Sequence, residues 1–227
     1  MPKLKLIVFI LLINCSLFAN KQNSFELESK KNIKSFLSTN YENLLISKPN
    51  LEEYYINNNF KPYWINENGL KEIAISLLDK IKNDPVLKPQ SIKLFRLDEV
   101  NNTLNALNKS NANYLENLVK MDLMLTELFD RYVTYVTKGS IDWSAFELKL
   151  AELEKEKEIK ASWDKYTLNK SPKLLLKRVV SENDLLTVLQ EIDFNYPQAQ
   201  KLISAIDELE KISAKGGYTK LPEFKSL

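Results

Sequence analysis

Met121-Asp122-Leu123-Met124-Leu125-Thr126-Glu127-Leu128-Phe129-Asp130-Arg131-Tyr132-Val133-Thr134-Tyr135-Val136 carries apolar side chains around most of a helical circumference. A helix that is apolar on nearly every side is stable only when other elements surround it. The pattern extends over about 113–137 and ends at Lys138-Gly139, where glycine suits a backbone conformation that side chains disfavour. The expectation is an all-α protein, an irregular multi-helix bundle built around this central buried helix.

The flanking sequence supports that class. Ile73, Leu77, Leu78 and Ile81 recur at helical spacing within 70–83, and further helices are expected near 25–47, 94–107, 144–159 and 172–180. Ser181-Glu182-Asn183-Asp184 reads as a cap with first-turn acids, opening a helix that runs on to Ile192. Pro197 opens a last helix with Leu202, Ile203, Ile206, Leu209 and Ile212 as its apolar stripe, closed by Gly216-Gly217. Asn50 reads as the cap of a short helix that Asn57-Asn58-Asn59 breaks. Phe60-Lys61-Pro62-Tyr63-Trp64-Ile65 reads as extended, because a residue before proline avoids the helical region. The run Glu152 to Glu158 alternates acid and base and reads as a solvated helix face.

Composition excludes several chemistries. The 227 residues include no histidine, one cysteine (Cys15) and four glycines. A histidine-based triad, a His/Cys zinc site and a histidine-ligated haem cannot be built from them. The glycines, Gly69, Gly139, Gly216 and Gly217, form no phosphate-binding loop. No catalytic, cofactor-binding or metal-ligating set is assigned, and no cofactor is expected.

Residues 1–19 differ in kind from the rest. Lys3 and Lys5 precede the apolar run Leu6–Ile13, and Ser16-Leu17-Phe18-Ala19 offers a small residue for cleavage. That is the pattern of a secretory signal peptide, and the run is short for a membrane span. A lipoprotein signal with Cys15 as the lipidated residue is disfavoured, because Asn14 stands where a small residue is wanted. Without residues 1–19, acidic and basic residues cancel and no cysteine remains. The expectations are a periplasmic protein without disulfides, no stable membrane insertion after cleavage, and no nucleic-acid partner. The domain plan is 1–19 signal peptide, 20–222 helical domain and 223–227 tail.

Two features could carry chemistry. Asp122 lies within the apolar stripe Leu118, Leu125, Phe129, Tyr132. It reads either as an acid/base with a raised pKa or as a structural carboxylate taking hydrogen bonds. The absence of an identifiable catalytic partner favours the structural role, and it weakens a two-carboxylate glycan hydrolase as well. Tyr54, Tyr55, Phe60, Tyr63 and Trp64 could stack on sugar rings, although packing onto the helices is the simpler use. An exposed Trp64 would favour a stand-alone envelope binding protein, and a buried one would count against it.

Several segments resemble a known family. Tyr54-Tyr55-Ile56, Phe60-Lys61-Pro62-Tyr63-Trp64-Ile65 and Gly69-Leu70 look like the opening of the YcbB-type murein L,D-transpeptidases. Met121 to Tyr132 is similar to that family's "Leu-Asp-x-x-Leu-Thr-Asp-Ala-x-x-Arg-Tyr" helix, and Lys138-Gly139-Ser140-Ile141-Asp142 to the turn after it. Tyr196-Pro197, Gly216-Gly217-Tyr218 and Leu221-Pro222 resemble its exit. Tyr218 replaces the usual tryptophan and Ser140 the usual arginine. The resemblance spans about 50–222 and implies the helical scaffold of an enzyme forming 3→3 cross-links in peptidoglycan. In that family a cysteine nucleophile and a histidine lie in a separate C-terminal domain. The implied role here is a truncated, non-catalytic scaffold whose partner is peptidoglycan or a catalytic transpeptidase module.

Overall fold

The computed structural model describes residues 24–39, 48–84, 87, 95–139, 141–157, 168, 170–193 and 197–218. The expected signal peptide, its cleavage site and the 223–227 tail lie outside these residues. The described chain is helical apart from one two-stranded hairpin. The helices are α1 (24–38), α2 (Lys48–Asn57), α3 (Glu72–Lys82), α4 (Leu97–Asn105), α5 (Tyr114–Lys138), α6 (Trp143–Lys157), α7 (Pro172–Glu182), α8 (Leu185–Gln190) and α9 (Pro197–Ala214). Strands β1 (Ile65–Asn66) and β2 (Gly69–Leu70) pair antiparallel, with Ile65 opposite Leu70 and Asn66 opposite Gly69.

Helix α5 is the axis of the fold, as its composition requires. Every residue from Met121 to Phe129 is buried. It packs against α2, α3, α4, α7 and β1, while α8 packs on α3 and α7. Ile33, Phe36 and Leu37 of α1 join the same core. Met121 and Met124 fill that core as flexible apolar side chains do. Helix α5 ends at Gly139, whose φ of 74° explains the glycine; its ψ of −170° is extended, so this is not the left-handed cap the sequence suggested.

Two local expectations are corrected. Helix α2 begins at Lys48, so Asn50 lies inside it and is not its cap. Proline is tolerated in a first turn, where backbone N–H groups lack helical partners anyway, so Pro49 fits there. Phe60 is not extended: Asn59 and Phe60 both have φ of 58°. These two left-handed residues close α2, with the Phe60 N–H donating to the Tyr55 carbonyl at 2.7 Å. Lys61 and Pro62 have no regular structure and Tyr63 and Trp64 form a bend, so within this stretch only Ile65, the first residue of β1, is strand.

Asp184 caps α8, its side chain accepting from the Thr187 N–H at 3.0 Å. Helix α8 ends at Gln190, two residues before the expected limit.

Helices α6 and α9 stand apart from this core, contributing none of its buried residues. Leu202 and Leu209 of α9 are exposed. The Glu/Lys run of α6 is mostly solvated over 151–155, as its charge pattern requires.

Candidate functional site: a buried polar junction on the central helix

Asp122, Thr126 and Asp130 follow one another at four-residue spacing on α5, which places them on one face of the helix. All three take hydrogen bonds from the aromatic segment that spans the end of α2 and the chain before β1.

Asp122 is fully buried. Its Oδ1 accepts the Trp64 backbone N–H at 2.6 Å. Its Oδ2 accepts the Tyr55 hydroxyl at 2.6 Å and the Tyr63 backbone N–H at 3.3 Å. Thr126 Oγ1 accepts the Trp64 indole N–H at 3.0 Å, lies 2.8 Å from Tyr55 Oη, and can donate to the Asp122 carbonyl at 3.0 Å. Asp130 accepts the Tyr54 hydroxyl at 2.6 Å, and the Tyr63 hydroxyl donates to the Tyr54 carbonyl at 2.8 Å.

The carbonyls of Tyr63 and Trp64, which form a bend before β1, are satisfied by Lys71. Lys71 donates its Nζ to the Tyr63 carbonyl and its backbone N–H to the Trp64 carbonyl, both at 2.8 Å. Tyr63 and Trp64 thus have both backbone polar groups paired although they lie in no regular ladder at that point. The rings pack edge-on or tilted: Tyr55 against Tyr63 at 5.4 Å and Trp64 against Phe129 at 5.7 Å between centroids.

Burial pushes the Asp122 carboxyl up, to about 6, against the hydrogen bonds from Tyr55, Trp64 and Tyr63 and the charge of Lys71, which all favour the carboxylate. Burial and the neighbouring Asp122 raise the Tyr55 phenol well above its ordinary range. Burial, followed by the bond to Asp130, does the same for Tyr54. Burial lowers the Lys71 ammonium.

Sequence reasoning singled out Asp122, and the structure puts it in the structural role. Trp64, at 0% exposed, and Tyr55, also at 0%, cannot stack on a sugar ring. Tyr54 and Tyr63 are buried as well, so the aromatic segment is packing, not a platform. Asp130 and Arg131 make separate bonds: Arg131 lies 3.7 Å from Glu127, and Asp130 serves Tyr54. Thr126 was not singled out, although it stands at the threonine of the resembling helix motif and four residues after Asp122. A small crevice holds Phe95, Arg96, Glu99, Met124, Glu127 and Arg131, with Arg96 paired to Glu99. Among the described residues no group of three or more acidic, histidine or cysteine side chains could hold a metal ion, and no helix is long and apolar enough to cross a membrane.

Fold and junction together define a helical support module, in which the polar groups of the central helix are engaged in holding its neighbours. The chain belongs to the Scaffold domain family, whose model matches residues 49–206. That span runs from the start of α2 into α9 and contains the whole junction. No curated protein and no solved structure matches the chain.

Proposed function

We propose that this protein is the periplasmic scaffold of a peptidoglycan L,D-transpeptidase, non-catalytic by itself, which supports a catalytic module carried elsewhere. The observation that carries the reading is the coincidence between motif and junction. The residues that resemble the transpeptidase opening (Tyr54, Tyr55, Tyr63, Trp64) and those that resemble its central helix (Asp122, Thr126) are hydrogen-bonded to one another. A motif pair separated by over fifty residues thus has one physical purpose, which is to fix a short segment on the axis of the bundle.

The chemistry agrees with a supporting role. Acyl transfer of this class needs an activated thiolate, and Cys15, the only cysteine, lies in the expected signal peptide. Asp122 is enclosed by its partners and has no open side toward a substrate.

Two measurements test the reading. The purified chain incubated with sacculi should form no 3→3 cross-linked muropeptides; formation by the chain alone would overturn the proposal. The intact mass of the native protein then assigns the module. A mass matching residues 20–227 means the scaffold acts on a separate enzyme, and a larger one means that a catalytic domain shares its chain.

A further inference from the structure

We propose that Asp122, Tyr55 and Thr126 form a reversible hydrogen-bond relay that takes up one proton inside the folded core, so that mild acid tightens the α2–hairpin–α5 junction.

The geometry permits two complete bonding patterns with no heavy atom moved. With Asp122 ionised, Tyr55 donates to Oδ2 at 2.6 Å and Thr126 donates to the Asp122 carbonyl at 3.0 Å. With Asp122 protonated at Oδ2, the direction reverses. Oδ2–H donates to Tyr55 Oη, and Tyr55 donates to Thr126 Oγ1 across the 2.8 Å contact. Thr126 keeps its bond to the Asp122 carbonyl, and the Trp64 indole still donates to Thr126. The backbone N–H of Trp64 stays on Oδ1 in both states. The Tyr63 backbone N–H, 3.3 Å from Oδ2, keeps only the remaining lone pair of the protonated oxygen, so it is the one contact that the change weakens. The other donors keep a full acceptor, because each hydroxyl both gives and receives.

Burial favours uptake, against the groups that face the carboxyl. The groups that face Asp122 are Tyr55 from α2, Tyr63 and Trp64 from the bend before β1, and Lys71 just before α3. Lys71 is the one cation among them, and its ammonium is held by the Tyr63 carbonyl at 2.8 Å. Lys173 of α7 is paired with Glu53 and sits over the Tyr54 ring. Arg96, just before α4, and Glu99 of α4 line the separate crevice with Glu127 and Arg131. Burial raises the Asp122 carboxyl from 3.8 to about 6. A group raised in the folded state binds its proton more tightly there than in the unfolded chain. Its stabilising contribution is therefore complete below the unfolded value and is lost as pH rises through the folded one.

The test is carboxyl 13C NMR of the full chain, with the Asp122 resonance assigned by its absence in Asp122→Asn. The expected midpoint is near 6, and a midpoint no higher than the ordinary aspartate value overturns the proposal. Two further variants separate a relay from simple burial. Tyr55→Phe removes the donor to the carboxylate and should raise the midpoint. Thr126→Val removes the acceptor that Tyr55 needs when Asp122 is protonated, and should lower it. Shifts of both variants in the same direction overturn the relay. In urea, the unfolding constant of the wild type relative to Asp122→Asn should fall roughly a hundredfold from pH 7.5 to below pH 4, as a two-unit difference requires. A pH-independent ratio, or one of opposite sign, overturns it as well.

Discussion

Asp122 is an acceptor for three donors, and each of its neighbours depends on it. Asp122→Ala would leave the N–H groups of Tyr63 and Trp64 and the Tyr55 hydroxyl without their acceptor in a dry core. Losses of about 3–5 kcal/mol follow from removing one partner of such a set, and urea unfolding at pH 7 measures them. Thr126→Val keeps the volume and removes one hydroxyl, stranding the Trp64 indole N–H; the expected cost is about 1–3 kcal/mol. The left-handed pair after α2 makes a separate prediction. Asn59 is exposed and has φ of 58°, which asparagine tolerates and a β-branched residue does not. Asn59→Val should be less stable than Asn59→Gly by about 1–2 kcal/mol, read as a difference in thermal or urea midpoint.

At the scale of the element, the segment before β1 and the hairpin that follows are held mostly by side chains and not by strand pairing. Only four residues form the ladder, and their short turn is supported by Asn66 Oδ1 accepting from the Asn68 N–H at 2.9 Å. Gly69 is required here, with φ of 126° and the Tyr114 hydroxyl 3.3 Å from where a Cβ would stand. Trp64 anchors the segment from within. In a chain with Trp143 and Trp163 replaced by phenylalanine, Trp64 emission should be blue-shifted and shielded from iodide. Emission like that of free tryptophan would contradict its burial and reopen the stacking platform. Much of this was visible in the sequence. The proline before Tyr63 marked a non-helical segment, and the aromatic cluster marked a packed one. The left-handed turn at Asn59 and Phe60 was not visible, because no glycine announces it and its cause is the backbone bond back to Tyr55.

At the scale of the whole molecule, stability is concentrated in the core around α5. Helices α6 and α9 lie outside that core. Leu176→Ala, at a fully buried α7 position, should cost about 2–5 kcal/mol. Leu202→Glu with Leu209→Glu, on the exposed face of α9, should stay within about 0.5 kcal/mol of wild type. A large loss in the α9 double variant would show that this face is covered in the native protein. The apolar stripe of α9 was legible as a helix but was no guide to burial. Periodicity reports that a helix has an apolar side, and burial depends on whether another element lies within reach of that side.

The sequence by itself determined the helical class and the place of the central helix. A run apolar around most of its circumference has one stable environment, the inside of a bundle, and that follows from transfer free energy without any knowledge of neighbours. It also determined that Asp122 had to be partnered, since an unpaired buried charge is too costly. Which groups partner it was decided only by the tertiary structure. Tyr55 is 67 residues from Asp122 in sequence and 2.6 Å away in space. Hydrogen-bond direction and reach are set by the packing of α2 and the hairpin on α5, and helical spacing carries information along one element only.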